Sequence, residues 1–312
     1  MSQEKPTSVS VHAGTGTEAT PASRAPFWQV VSALLHDKLA LTGLILVSIF
    51  LIAAIFAPWI APQNPYDLAQ LDILDGRLAP GSESMTGMVY LIGTDDQGRD
   101  LLSAILYGLR TSILVGVSSA AIALVIGASI GLASAYIGGR VDAVLMRIVD
   151  IQLSFPAILI ALIFLAILGQ GVDKIILALV VTQWAYYART IRGSALVERK
   201  RAYVDAARSM ALADRRILFR HILPNCLPPL IIVATMRVAY GIMLEATLSF
   251  LGIGLPVTEP SLGLLISNGF DYMLSGDYWI SFYPGIALLL LIVAINLIGD
   301  ALRDILNPRR EG

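Results

Sequence analysis

The sequence predicts an all-α membrane protein with six transmembrane helices and both termini in the cytoplasm. Three observations carry that reading. Only 14% of the 312 residues are charged, 56% are apolar and mean hydropathy is +0.73, whereas a soluble domain carries roughly 25% charge. Residues 39–60, 111–139, 151–172 and 279–299 hold no charge over runs of 22, 29, 22 and 21 residues. Each run is long enough to cross about 30 Å of hydrocarbon as a helix. The third observation is the lopsided placement of lysine and arginine, taken up below. A soluble enzyme is excluded, and so is an outer-membrane barrel, whose strands alternate every second residue. A net charge of −1 gives nucleic acid no electrostatic hold. Cys226 is the single cysteine, so neither an internal disulfide nor a Cys-rich metal site is available.

In chain order, residues 1–26 are rich in Ser, Thr, Ala and Gly and read as a disordered cytoplasmic tail. No signal peptide precedes the first apolar run, which is expected to stay as an anchor. Residues 27–110 form an N-terminal extension with that span and an outer loop. In the loop, Asp95, Asp96, Arg99 and Asp100 precede Leu101, Leu102, Ile105, Leu106 and Leu109, which share one helical face. A short helix along the outer interface is expected there. The core, 111–305, opens with a second span in which Gly127 and Gly131 have the spacing that lets two helix backbones approach. The third span is 151–172. A fourth, 175–188, has only 14 residues, a length that also suits a re-entrant segment. The fifth, 225–254, is interrupted by Arg237 and Glu245, and the sixth is 279–299. Residues 306–312 form a second cytoplasmic tail.

Charge decides the count. With six spans, 17 of the 22 basic residues fall on the side of the termini, nine of them between Arg189 and Arg220. Omitting the 14-residue span moves that nine-charge loop outside, against the positive-inside tendency. The outer loops agree, since 61–110 holds seven acidic and three basic residues.

The loop 189–224 is the most informative segment. Residues 201–213 are rich in helix formers, and Val204, Ala207 and Ala211 share a face of small residues suited to a groove on a partner. Asp214 is placed to cap a second short helix, 215–222, that stops near Pro224.

Asp205-Ala206-Ala207, then Ala211, then His221-Ile222-Leu223-Pro224 resembles the Glu-Ala-Ala…Gly…Ile-x-Leu-Pro loop of permease subunits of binding-protein-dependent ABC importers. Asp205 shortens the usual carboxylate and Ala211 replaces the usual glycine. Gly93-Thr94-Asp95-Asp96-Gln97-Gly98-Arg99-Asp100 and Glu245-Ala246-Thr247-Leu248-Ser249-Phe250-Leu251-Gly252 resemble segments of the dipeptide/oligopeptide/nickel branch. The run 296–304 followed by Asn307-Pro308-Arg309 fits as well, with Asn307 where Asp is usual, and Leu262 stands where Trp is common. Phe27-Trp28 and Asp37-Lys38-Leu39-Ala40 look like the start of a C-type permease.

The resemblance implies a type I ABC importer permease (MetI-like) fold in a bacterial cytoplasmic (inner) membrane. It implies a homologous second permease, two cytoplasmic ATP-binding subunits and a periplasmic or lipid-anchored solute-binding protein as partners, besides membrane lipid. Tyr203, Asp205, Ala206, Ala207 and Ala211 then belong to a coupling helix, with Leu223 and Pro224 ending its loop. Peptides are the implied cargo, with nickel complexes or other small solutes as alternatives. This chain is expected to bind no cofactor, since ATP and Mg belong to the partner subunits.

The residues agree that no ATPase is present. A P-loop needs lysine directly after glycine, and the four lysines follow Glu4, Asp37, Asp173 and Arg199. An intramembrane protease finds no histidine at depth, since His12, His36 and His221 are cytoplasmic in this topology; Asp142, Asp150 and Asp300 lie at span ends. An ion-coupled secondary transporter is the stronger rival, because Arg237 and Glu245 are intramembrane charges that each cost about 2.5–3.5 kcal/mol at mid-span. Eight residues apart, they sit on different faces of one helix. Two readings of the pair stand: residues of a translocation pathway, or charges that serve bundle structure.

Overall fold

The computed structural model describes residues 27–67, 71–84 and 87–306. The tails expected at 1–26 and beyond Leu306 lie outside the described residues. The described chain is helical, with two isolated β-bridges, Glu83–Val89 and Thr94–Asp100. A short helix α1 (Phe27–His36) leads into α2 (Lys38–Ile60). Asp37 separates them because its carboxylate accepts from the Leu39 and Ala40 amides at 2.8 and 3.0 Å, capping the new helix. With 23 residues, α2 is the first membrane-crossing candidate.

Helix α3 (Leu101–Ile137) corrects one expectation. The interfacial helix foreseen over residues 101–109 is the first part of a single 37-residue helix. Nothing near Arg110 breaks it, because the stretch lacks proline and its leucines find protein partners. Leu101, Ile105, Leu106 and Leu109 are buried in the subunit. Asp100 caps the helix by accepting from the Ser103 amide at 2.8 Å.

The third span is corrected too. The charge-free run 151–172 is split between α4 (Gly139–Ser154) and α5 (Ala157–Leu168), which meet at 90°. Pro156 disfavours the helical conformation at the residue before it, and Phe155 is extended there, at φ −96° and ψ 142°. The 12 residues of α5 rise only about 18 Å, too few to cross alone.

The 14-residue apolar stretch belongs to α6 (Val172–Glu198), 27 residues and about 40 Å long. Its charges lie toward the ends, so the apolar run understates its length. Helix α7 (Ala202–Ser209) follows. The short helix foreseen over 215–222 does not stop near Pro224. Instead α8 (Asp214–Ile217), a π-helical turn (Leu218–Ile222) and α9 (Leu223–Phe250) run on as one candidate span, Asp214–Phe250. The wider turn accommodates a proline that lacks an N–H and would crowd the carbonyl four residues back. Asp214 is the first residue of α8 and makes no capping bond. Helix α10 (Leu262–Phe270) lies in the connection after α9, and α11 (Trp279–Leu306) closes the bundle.

Four helical stretches, α2, α3, α8–α9 and α11, are long and apolar enough to cross a membrane, and the bent α4–α5 pair makes a fifth. The bundle is organised on α3 against α6. A Cβ on Gly127 would stand 2.2 Å from the Trp184 carbonyl oxygen, and one on Gly131 2.2 Å from that of Ala188. Both approaches are closed to any other residue, as the glycine spacing implied.

Outside the bundle, residues 71–100 fold into a knot around an ion pair. Arg99 Nε donates to Asp95 Oδ2 at 2.6 Å, with 1% and 0% of the two side chains exposed. Asp95 Oδ1 also accepts from the Gln97 and Arg99 amides, and Arg99 Nη1 reaches the Val257 carbonyl at 3.3 Å. Gly98, at φ +74°, has no room for a Cβ, which would lie 2.0 Å from the Asp72 carbonyl oxygen. The knot thus ties the start of α3 to the loop after α9. Burial and the neighbouring Asp95 push the Asp96 carboxyl above the usual range. Arg99→Ala leaves Asp95 buried without its cation, and we expect a loss of about 3–5 kcal/mol, read as a lower thermal unfolding midpoint in detergent.

Candidate functional site

The loop between α6 and α9 projects from one end of the bundle on a braced base. Arg192, near the end of α6, donates from Nε and Nη2 to both carboxylate oxygens of Asp142 on α4, which also accepts from Ser134 at the end of α3. Bidentate Arg–carboxylate pairing fixes orientation as well as proximity. Arg199 donates to the Ala135 carbonyl at 2.8 Å, and its guanidinium lies over the Tyr136 ring. The ends of α3, α4 and α6 are therefore one unit.

Helix α7 sits on that unit with its small face inward. Val204 and Ala207 are 0% and 2% exposed and pack in a cluster with Tyr187, Ile191, Ile217 and Ile222. Two of the three residues foreseen as a docking face, Val204 and Ala207, thus serve the subunit's own core, while the third, Ala211, is exposed. Facing out are Ala202, Tyr203, Asp205, Ala206, Arg208 and Met210. Tyr203 is held by two hydrogen bonds. Its hydroxyl donates to Glu198 at 2.6 Å, accepts from Asn225 Nδ2 at 2.9 Å and lies 3.5 Å from the His221 carbonyl. Desolvation, then the Glu198 bond, pushes its hydroxyl up to about 12. Through Asn225, which also donates to the His221 carbonyl at 2.7 Å, α7 is pinned beside the π turn. Leu223 and Pro224 lie just beyond that turn as the first residues of α9, both partly buried.

Ala211 ends α7 in the left-handed region, at φ 54°. The Leu212 amide reaches back to the Ala207 carbonyl at 3.2 Å and the Ala211 amide to the Arg208 carbonyl at 2.8 Å. This is the Schellman termination, which favours glycine.

The two intramembrane charges of α9 are well apart and do not pair. Arg237 is half-buried, with its guanidinium 3.5 Å from the Tyr186 ring centroid and 5.1 Å from that of Tyr240. Stacking on aromatic faces offsets part of the cost of a cation in the membrane. Glu245 is fully buried and accepts from Ser112 on α3 and Ser249 on α9, both at 2.8 Å.

Sequence reading missed a polar crossing nearby. Gln183 on α6 points its amide nitrogen at Ser119 on α3, 3.4 Å away, where Gly241 of α9 makes room. Gln183 Oε1 and the Tyr187 hydroxyl are buried with no hydrogen-bond partner among the described residues. The available signal was Gln183 itself, a strongly polar residue inside a short apolar run. Among the described residues no group of three or more His, Cys, Asp or Glu could hold a metal.

At the end of α7, Ala211→Gly removes a strained φ. We expect amide exchange at Leu212 to slow by roughly fivefold, since left-handed alanine costs on the order of 1 kcal/mol.

Residues 123–312 match the family described as "Binding-protein-dependent transport system inner membrane component", and residues 26–80 match the "N-terminal TM domain of oligopeptide transport permease C". A putative peptide transport system permease protein of Brucella abortus is 42% identical over 92% of this chain and 93% of its own length. The dipeptide transport system permease protein DppC of Escherichia coli is 40% identical over 91% and 92%. The di/tripeptide transport system permease protein DppC of Pseudomonas aeruginosa is 37% identical over 93% of each chain. A chain of the MetNI methionine ABC transporter, in an inward-facing conformation, superposes with a TM-score of 0.54 at 21% identity, over 65% of this chain and 96% of its own. That likeness is one of fold. With the family model covering more than half of the sequence and relatives aligned along nearly all of it, the chain belongs to the binding-protein-dependent transport inner membrane components.

Proposed function

We propose that this chain is a permease subunit of an ATP-driven importer that moves di- or oligopeptides across a bacterial cytoplasmic membrane. The observation that carries the coupling half of the proposal is α7, exposed on one face, with Val204 and Ala207 buried on the other and Tyr203 bonded to Glu198 of α6 and Asn225 of α9. An element built this way can pass a push from outside into the spans without yielding at its base. Its partners are a homologous permease, two ATP-binding subunits that carry ATP and Mg, and a solute-binding protein on the outer side. The chain itself binds no cofactor in this reading.

The topology has six spans with both termini cytoplasmic. The length of α6 and the nine basic residues between Arg189 and Arg220 support it. The coupling contact falls to Asp205, Ala206 and Met210 on the outer face of α7. Ala207 and Val204 act beneath it, and Ala211, Tyr203, Leu223 and Pro224 fix its position. The cargo is inferred from relatives that carry peptide names; nickel complexes or other small solutes are the alternative cargo for the same machine. Against an ion-coupled secondary transporter stand the relatives, which carry the names of transport system permease proteins.

Arg237 is the pathway residue of this account, a half-buried cation able to meet a peptide carboxylate between spans. Glu245, enclosed by serine hydroxyls, holds α9 to α3 beside that path.

Three measurements test these assignments, two of them in the reconstituted importer. Ala206→Glu changes an exposed residue with no packing role, so the subunit should insert and assemble while uptake falls by about tenfold or more, the scale of a lost interface anchor. Ala207→Glu should instead lower the thermal midpoint of the isolated subunit. Normal uptake by Ala206→Glu contradicts the docking assignment. For the path, Arg237→Ala should erase the preference for a free peptide over its C-terminal amide at unchanged protein level; an intact preference removes Arg237 from the pathway.

A further inference from the structure

The membrane-facing side of the subunit has one groove whose chemistry is not absorbed by transport. It lies between α2, α3, α9 and α11. The deeper part, about 190 Å³, is lined by Val47, Leu51, Ile113, Val117, Val238 and Leu291 among other apolar side chains. Thr235, the one polar residue there, bonds to the Ile232 carbonyl within its own helix at 2.8 Å. A second cavity of about 360 Å³ shares Leu51, Ile113 and Val117 with the first and opens past Ile55 and Leu114 to Arg110. The two cavities adjoin along these shared apolar side chains, and the lining of the second adds Ser118 and one cation, Arg110.

Arg110 is the unusual member. It is exposed and makes no ion pair among the described residues. Its electrostatic neighbour is the Tyr66 phenol, which burial holds above its ordinary range and therefore neutral. It stands on α3 nine residues after Leu101, about 14 Å from the helix start, while Val117 lies about 10 Å deeper. A cation at that depth, next to an apolar slot running inward, has the layout of a lipid: a charged head near the interface and a chain in hydrocarbon.

We propose that the groove binds an anionic phospholipid, its phosphate on Arg110 and one acyl chain seated against Leu51, Ile113 and Val117. Charge selects this occupant over a helix of another protein. An apolar helix laid across the groove would bury the guanidinium without a counter-charge, which is expensive. A phosphate satisfies the fork of the guanidinium, and the chain fills volume that offers water nothing to bond. The site links α2, which lies outside the helices that carry the coupling base, to α3 and α9, which carry Gly127 and Arg237. The proposal rests on the transport topology only for which leaflet supplies the lipid.

The test uses the full importer in nanodiscs that carry the same lipids in both leaflets, so the answer does not depend on orientation or transport. Phosphatidylglycerol with a photoactivatable acyl chain should label Leu51, Ile113 and Val117. Phosphatidylethanolamine carrying the same chain should label them less. Arg110→Gln should cut phosphatidylglycerol labelling about fivefold, the scale expected for one basic residue at a membrane surface, and bring the two lipids level. Val117→Trp should block labelling by filling the slot. Equal labelling by both lipids, or labelling unaffected by Arg110→Gln, overturns the proposal. Absence of label in the assembled importer also overturns it, in favour of the companion permease covering the groove.

Discussion

The structure depends on the approach of α3 to α6 at Gly127 and Gly131. In a bilayer no hydrophobic effect drives helices together, because lipid is as apolar as leucine. Association rests on close packing, and two missing side chains let α3 backbone touch the Trp184 and Ala188 carbonyls. Much of the rest leans on that contact. Tyr187 and Ile191, in the same stretch of α6, belong to the apolar cluster that also takes in Val204 and Ala207. The Arg192–Asp142–Ser134 pairing closes the end of the same helix pair nearest α7. Further along α3, Ser112 donates to Glu245 of α9 and Ser119 accepts from Gln183 of α6.

This arrangement gives a physical sense to coupling. A loop that is merely basic would flex when pushed. Here α7 is fixed through three kinds of bond: apolar burial at Val204 and Ala207, the Glu198–Tyr203–Asn225 hydrogen bonds, and the Schellman termination at Ala211. The continuous run from Asp214 into α9 means that displacement at the loop is displacement of a whole span. The π turn next to Pro224 alters the helical ladder at the start of that run, ahead of Pro228 and Pro229 inside α9, and such turns concentrate at functional sites.

Much of the fold was legible because solvent leaves a strong mark on composition. Charge-free runs located α2, α3 and α11, and the glycine spacing located the tightest helix contact. The failures have a common cause: periodicity reports a face but not what covers it. The stripe of Leu101, Ile105 and Leu109 read as interfacial, yet protein covers it. The stripe of Val204 and Ala207 read as a docking surface for a partner, yet the subunit's own core takes it. A single proline, Pro156, turned an apolar run into two helices at a right angle, while Pro224 left a helix running. The difference lies in whether the ladder can widen locally, and residue identity alone does not decide that. The Asp95–Arg99 pair was visible only as polar sequence ahead of a helix, because burial of an ion pair depends on loops far apart in the chain.

The central claim is that α7, α3 and α6 form one rigid unit that moves when the ATP-binding partners close. Pulsed electron-spin distance measurement between labels at Ala206 on α7 and Ile137 at the end of α3, both at exposed positions, addresses it directly. In the reconstituted importer, nucleotide-free and ATP-trapped states should give the same distance distribution, while label pairs between this subunit and its companion permease shift. A change of about 5 Å or more within the Ala206–Ile137 pair, the size of a one-turn slip, would show that the loop moves independently of the bundle and contradict the account.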